Sequence, residues 1–493
     1  MRRVLLVGAG EAGQAIAADM ISHRELGMLP VGFIDDNPSD SDQHLCKLPI
    51  LGTLQALSQV AESEQVEQVV IALPWASGKT IREIVDVCKR LNLQPSIVAV
   101  NGGEIGSSPQ RLALSYVRDV QIEDLLRSKP IRASNDGLRE TLAGRRTLVT
   151  GAGGSIGSEL CRQIAQYDPA KLVLLGHGEH SIFTLANELA RLYPSLRTVP
   201  VIADVRDRDR LERRFADLRP QIVFHAAAHK HVALMEQNVE EAISNNVLGT
   251  DNLVKTALAS GVEKFILVST DKAVNPASVM GASKRVGELI VSQAAHRTGR
   301  CFVSVRFGNV IGSRGSVLSL FREQISHGGP VTVTHPEMRR YFMNIHEAVE
   351  LILQAIKLGK GGEIFVLEMG EPVKIADIAR YLIELSGFKL GRDISIQFTG
   401  ARPGEKLFEE LLLQPDHYED TQNPKIFVLR NGFDSWSTTE SQRPNQIMSA
   451  FDEKVAALIE AARLGDRRLI QRYLMEIIPD YVVEAGSVTY VGA

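Results

Sequence analysis

The strongest constraint in this 493-residue chain is a glycine-spaced turn that occurs twice, each time after a short apolar run and before an amphipathic stretch. The first copy is VLLV followed by Gly8, Gly10 and Gly13, the stretch QAIAADMI, and then VGFIDD, which ends on Asp35 and Asp36. The second is TLVT followed by Gly151, Gly154 and Gly157, the stretch SELCRQIAQ, and then KLVLLGHGEH. An apolar strand that turns on glycines into a helix aims the helix's first N–H groups at one point, where they suit a pyrophosphate. Two such starts predict two α/β units in tandem.

Each copy continues in kind. After the first come VVIALP and SIVAV, with helical segments between, closing near VRDVQIEDLL. After the second come TVPVIADV, QIVFHAAA, KFILVST and CFVSVRFGNV, separated by helix-length segments such as RDRDRLERRFADL and EEAISNNVLGTDNLVKTALAS. Strands that alternate with helices in this way build a doubly wound parallel sheet. The expected fold is therefore α/β, with two Rossmann-like domains in tandem, the second carrying a smaller substrate lobe, and a helical C-terminal tail. The expected boundaries are 1–126 for the first domain, 127–144 for a linker rich in Pro, Asn, Asp and Gly, 145–430 for the second domain and 431–493 for the tail. Within the second, residues 145–305 form the core and the shorter Gly-, Pro- and Arg-rich elements of 306–430 the lobe.

Composition removes several classes of function. With 44% hydrophobic and 23% charged residues the chain can form cores, so wholesale disorder is excluded. Lys plus Arg number 55 against 59 for Asp plus Glu, a net charge of -4, so no broad basic field holds a nucleic-acid backbone. Cys46, Cys88, Cys161 and Cys301 are far apart without a CxxC pair, which fits a reducing cytoplasm and gives no zinc framework. No apolar run approaches a membrane span of about 20 residues. His225, His229 and His231 in HAAAHKH lack the fixed third ligand and supporting shell of a zinc site, and no metal is expected there.

In a parallel sheet, ligands meet the carboxyl ends of the strands. Four segments lie there in the second copy: TGAGGSIG, HAAAHKHV, STDKAVNPASVMGASK and RFGNVIGSRGSV. The third resembles the short-chain dehydrogenase site, in which a Tyr-x-x-x-Lys on one helix face follows a strand ending in Ser or Thr. Here the Tyr position is Met280, with Lys284 four residues on. A thioether has no proton to exchange, so acid–base chemistry must lie elsewhere. Asp271 and Lys272, directly after Thr270, supply one carboxyl and one amine for it. At the end of the second strand, His177 and Glu179 stand without an arginine, which favours NAD, with NADP as the alternative.

From about residue 145 to 430, and less strictly from residue 1, the chain resembles the nucleoside-diphosphate-sugar 4,6-dehydratases. The resemblance rests on VTGAGGSIGSELCRQI, FHAAAHKHV, STDKAVNP, MGASKR, RFGNVIGSRGSV, MRRYFM and RPGEKLFEEL in that order. It is similar to the larger subgroup, which has an extra N-terminal nucleotide-fold domain and Met at the Tyr position, and whose best-known substrate is UDP-N-acetylglucosamine.

The resemblance implies that Asp271 is the acid, Lys272 the base and Thr270 a hydrogen-bond partner of the 4-oxygen, with Lys284 near the nicotinamide ribose. It implies a tightly bound, recycled NAD held by Gly151, Gly154, Ser155, Ile156, Gly157, His177, Glu179, Asp204, Val205, Ala226 and Ala228. Lys230, His231, Arg306, Asn309, Arg340, Arg402 and Glu405 are the expected contacts to the nucleotide sugar, and Arg314 is a further candidate. The first copy lacks a Thr-Asp-Lys or a helix lysine and is expected to be regulatory or scaffolding, with Gly8, Gly10, Gly13 and Asp35 as a nucleotide fingerprint. A homo-oligomer paired through core helices is also implied. Larger members carry membrane helices ahead of the first copy, where this chain starts at the strand. Cytoplasmic location is expected, peripheral membrane association or truncation of an anchored protein being the alternatives. An epimerase and a nonenzymatic NAD or nucleotide-sugar sensor are the competing functional readings; retention of both Asp271 and Lys272 favours elimination.

Overall fold

A computed structural model describes residues 1–36, 44–98, 113–127, 137–411, 418–429 and 444–481. The chain forms two compact units, one comprising Met1–Arg132 and Tyr381–Phe388, the other Ala133–Arg380 and Lys389–Ala493. Half of the stretch expected as a linker, 128–136, lies outside the described residues.

The first unit is built on a seven-stranded sheet. Its central strands, Arg2–Val7, Met28–Ile34, Gln68–Ile71 and Gln94–Val98, run parallel. Val4 to Val7 and Val69 to Ile71 are buried on both faces, which is why they read as unbroken apolar runs and not as alternation. The Glu11–Ser22 helix packs Ile16, Ala17 and Met20 onto this sheet. Asp35 Oδ2 accepts a hydrogen bond from the Ala9 N–H at 2.7 Å, so the expected ribose acid is engaged by the glycine turn itself.

The second unit carries a nine-stranded sheet. Seven strands are parallel, in the spatial order Thr198–Ile202, Lys171–Gly176, Arg146–Thr150, Ile222–His225, Lys264–Val268, Cys301–Arg306 and Ile364–Leu367. Ile426–Leu429 and Tyr418–Asp420 extend it antiparallel. Strand order reverses between Arg146–Thr150 and Ile222–His225, and this switch point opens the crevice in which a doubly wound sheet binds its ligand. Ile364–Leu367 and Ile426–Leu429 lie in the segment expected as a substrate lobe, yet both belong to the central sheet.

Helix Val279–Thr298 packs behind the Lys264–Val268 strand, its Lys284 reaching the Val268 carbonyl and its Glu288 the Ser269 hydroxyl. Ser278 caps it by accepting from the Gly281 N–H at 3.1 Å, and Gly299 ends it with φ of 66°. Nearly every residue from Val279 to Ala295 is buried. Part of that burial comes from the tail, where helices Pro444–Arg463 and Arg467–Ile477 bring Phe451, Leu458, Ile470 and Leu474 into one core with Val286, Leu289 and Ile290. The tail thus covers the core helix from within the same chain. Among the described residues no helix is long and apolar enough to cross a membrane.

Candidate active site

The second glycine turn is sterically obligatory. Gly151 has φ of 63°, and a Cβ there would meet the Ala226 backbone at 2.7 Å. A Cβ on Gly157 would meet the Gly151 carbonyl oxygen at 2.1 Å, so the helix Ser155–Ala165 can approach the strand only without one. No side chain caps that helix, leaving its first N–H groups available to a ligand. Above it lies a cleft of about 250 Å³ lined by Gly151, Gly154, His177, Asp204, Val205, Ala226 and Ala228, all expected cofactor contacts. Ser155, Ile156 and Gly157 build the helix start and do not line the cleft. Glu179 is exposed at the first turn of the Glu179–Leu192 helix and is likewise outside the lining.

Arg314, considered for the substrate, belongs to this cleft. Its N–H donates to Ser155 Oγ at 3.0 Å and its guanidinium donates to the Gly153 carbonyl. Asn245 also lines the cleft and was not singled out by the sequence. Its neighbour Asn246 accepts from the His229 N–H at 2.9 Å and donates to Ser283 Oγ at 2.9 Å. Both asparagines sit on the π-helical stretch Ile243–Leu248, a widened turn of the kind that marks functional positions and is invisible to a 3.6-residue pattern.

The three histidines have separate surroundings, and among the described residues no three or more His, Cys, Asp or Glu side chains gather in one place as a metal site would need. His225 is sealed between Thr150 Oγ1 at 2.8 Å and Thr250 Oγ1 at 3.1 Å. Thr250 donates onward to the Asn246 carbonyl, so it accepts from the imidazole. Burial, aided by the Lys284 charge, drives the His225 pKa down to about 3 and keeps the ring neutral. His229 pairs with Glu241 at 3.2 Å. His231 is exposed beside Gly315.

The Lys264–Val268 strand delivers the reactive cluster. Past its end the chain stays alongside its neighbour, Ser269 N–H donating to the Val305 carbonyl at 2.7 Å and Asp271 N–H to the Phe307 carbonyl at 3.0 Å. This holds Asp271 at 1% exposure. Thr270 Oγ1 donates to Asp271 Oδ1 at 2.8 Å, and Lys272 Nζ donates to the same oxygen at 2.9 Å. Asp271 Oδ2 is buried and has no partner. Lys272 Nζ also donates to Asn309 Oδ1 at 3.3 Å and lies 3.4 Å from Glu409 Oε1. Burial works against the ammonium, but the charges of Asp271 and Glu409 outweigh it and hold the Lys272 pKa above its ordinary value.

Glu409 is the participant that sequence reading missed. It stands within RPGEKLFEEL, and the fold brings it in because Arg339 N–H donates to the Leu407 carbonyl at 3.0 Å while Phe408 bridges to Arg339. Arg340, expected to bind substrate, is 7% exposed, with its Nε 3.5 Å from Glu409 Oε1. Arg402 and Glu405 are not drawn into the cluster; they close a turn on themselves, Glu405 N–H donating to the Arg402 carbonyl at 3.0 Å. Lys230 points into the same region, donating to Ser313 Oγ at 3.3 Å, and burial with the charges of Arg314 and Lys272 lowers its pKa.

Arg306 corrects the sequence expectation. It is 2% exposed, forms two hydrogen bonds to Glu288 and does not line the cleft, so its guanidinium is held inside the protein. Glu288 also accepts from Ser269 Oγ at 2.6 Å, tying the helix to the strand end that bears Thr270. Met280 is 2% exposed at the tyrosine position. One turn on, Lys284 donates from Nζ to the Val268 carbonyl at 2.6 Å, and burial pushes its pKa down to about 8 against the pull of Glu288.

Comparison with known proteins gives the family. Residues 147–431 match the family described as polysaccharide biosynthesis protein, and residues 1–99 match a CoA-binding domain. The capsular polysaccharide biosynthesis protein CapD of Staphylococcus aureus is 44% identical over 446 residues, 89% of this chain and 73% of that protein. A UDP-N-acetylglucosamine 4,6-dehydratase (inverting) of Campylobacter jejuni is 33% identical over 279 residues, 56% of this chain and 79% of that one. The X-ray structure of Pen from Bacillus thuringiensis superposes with a TM-score of 0.55 at 32% identity, covering 59% of this chain and 91% of that one. With its doubly wound sheet, glycine turn and Met280–Lys284 helix, the chain belongs to the polysaccharide biosynthesis protein family.

Proposed function

We propose that this protein is a nucleoside-diphosphate-sugar 4,6-dehydratase that uses NAD, with UDP-N-acetylglucosamine as its substrate. The observation that carries the reading is the Asp271–Lys272 pair, 2.9 Å apart at a strand end beside the glycine-turn cleft, with Met280 where a proton-exchanging tyrosine would stand. The similarity to the Campylobacter jejuni dehydratase supports the substrate class.

The residues present fit a dinucleotide. Gly151 and Gly157 let the turn close against the Ala226 backbone and the helix against the turn where a Cβ would clash, the Ser155–Ala165 helix offers uncapped N–H groups to a pyrophosphate, and His177 and Asp204 line the cleft. A nicotinamide held by Gly151, Gly154, His177, Asp204 and Ala226 would supply reversible hydride transfer to the sugar. The chain's own residues move the protons. Once carbon 4 is a ketone, the proton on carbon 5 is acidic; Lys272 removes it as Asp271 protonates the departing 6-hydroxyl. Thr270 and Asn309 orient the pair, and Lys284 places a positive charge beneath the strand end.

Elimination needs an acid for the leaving hydroxyl, whereas epimerisation at carbon 4 does not, and the buried Asp271 supplies that acid. Incubation of the purified protein with UDP-N-acetylglucosamine in heavy water, followed by mass spectrometry and NMR, tests the reading. Loss of one water with deuterium at carbon 5 is expected. An isomer of unchanged composition would make the protein an epimerase, and no reaction with any UDP- or dTDP-sugar would refute an enzymatic role.

A further inference from the structure

The proton count of this reaction leaves one proton without a holder, and a buried carboxylate stands where it is needed. In its resting ionised form the Asp271–Lys272 pair carries one exchangeable proton, on the ammonium. In the form that performs the elimination, a neutral acid and a neutral amine, it again carries one, on the carboxyl. Oxidation at carbon 4 releases a further proton from the 4-hydroxyl. That proton cannot reside on the pair during elimination and must stay on a third group until carbon 5 is reprotonated.

Glu409 meets the requirement. Its side chain is 4% exposed and its Oε1 lies 3.4 Å from Lys272 Nζ. Its Oε2 is buried without a hydrogen-bond partner, the same condition as Asp271 Oδ2. Such a group is costly to leave unsatisfied unless something arrives there. The other titratable groups facing the pair are Arg340, Lys230 and Tyr341; the two cations accept no proton, and burial with the Asp271 charge raises the Tyr341 pKa, so its hydroxyl keeps its own. Arg340 Nε lies 3.5 Å from the same Oε1. Lys284 faces the Val268 carbonyl instead.

Resting on the dehydratase reading, we propose that Glu409 is a positioning residue that stores, through Lys272, the proton released by the substrate. At rest Asp271 and Glu409 are carboxylates and Lys272 is an ammonium. When the 4-hydroxyl proton has entered the cluster, Asp271 and Glu409 are both protonated and Lys272 is a free amine. Lys272 then takes the carbon-5 proton while Asp271 gives its proton to the 6-hydroxyl, and water leaves. Lys272 returns a proton to carbon 5 as the hydride reaches carbon 6, and Glu409 reprotonates the amine. The 4-hydroxyl proton is replaced in the departing water, and the protein ends as it began.

Glu409→Gln preserves the shape and removes the store. In a single turnover with UDP-N-acetylglucosamine, the variant is expected to form reduced nicotinamide but to lose water about 100-fold more slowly than wild type. KM is expected to stay within about twofold, and Glu409→Asp to recover part of the rate. In the substrate-free protein, NMR titration of the lysine ε-methylene should show the Lys272 pKa falling in Glu409→Gln. Equal loss of nicotinamide reduction and water loss would assign Glu409 a structural role and overturn the proposal, as would water loss at the wild-type rate or an unmoved Lys272 titration. If Glu409→Gln does not fold, the same measurements on Glu409→Met, which also lacks a carboxyl, decide, with wild-type water loss again refuting the store. Wild-type protein inert toward nucleotide sugars would bring down the dehydratase reading and the store together; an active wild type with an unaffected Glu409→Gln would bring down the store alone.

Discussion

Arg306 and Glu288 form a two-pronged ion pair inside the second unit, Nε to Oε1 at 2.7 Å and Nη2 to Oε2 at 2.6 Å, directly behind the strand end that bears Thr270 and Asp271. Because Glu288 also takes the Ser269 hydroxyl and pairs with Arg285 at 3.0 Å, one carboxylate couples the Val279–Thr298 helix to two adjacent strands. The pair braces the Ser269–Asp271 backbone from inside the protein.

Removing one partner should therefore destabilise and not merely slow the protein. Arg306→Met leaves a buried carboxylate short of one of its cations, which costs about 3 kcal/mol when a buried pair is broken. Urea denaturation of the two proteins measures it. A variant of wild-type stability that has lost substrate affinity would instead restore Arg306 to the binding role its sequence position suggested.

Met280 offers a test of where the proton chemistry resides. A thioether neither donates nor accepts a transferable proton, so Met280→Leu, similar in volume at a 2% exposed site, should keep kcat within about threefold of wild type. Steady-state kinetics with the nucleotide sugar suffice. A drop of about 100-fold would show that the methionine takes part in the reaction.

Lys284 should leave a signature in stability against pH. Its pKa is about 8 in the folded protein and ordinarily 10.5, so between those values the unfolded chain binds more protons than the folded one. Wild-type stability therefore gains from this group as pH rises through the window, by about 3 kcal/mol in full. Lys284→Met lacks the gain. Denaturation from pH 7 to 10.5 should show the stability difference between variant and wild type shifting toward wild type; a difference that does not change with pH would mean the amine is not desolvated.

How much of this was legible in the sequence follows from what each feature depends on. The strands and glycine turns were readable because parallel strands buried on both faces appear as short apolar runs, and Gly151 and Gly157 are required by local backbone geometry. Thr270, Asp271 and Lys272 were readable because a strand end in this fold faces the crevice. Arg306 misled because its burial depends on Glu288, a helix residue brought opposite it only by the tertiary fold. Glu409 was missed because nothing in its spacing links it to Lys272; the link is made by the bridge between Phe408 and Arg339. The paired carboxylates in RPGEKLFEEL, next to the motif MRRYFM, were the one available hint.

The central claim is that hydrogen leaves carbon 4 as hydride and returns to the same sugar at carbon 6 while Asp271 and Lys272 expel water. It is tested most directly with UDP-N-acetylglucosamine carrying deuterium at carbon 4, the product being examined by NMR after turnover in ordinary water. The expected product is a 4-keto-6-deoxy sugar with the deuterium in its 6-methyl group. Deuterium retained at carbon 4 of an isomeric sugar, or lost to solvent with no 6-methyl formed, would contradict it.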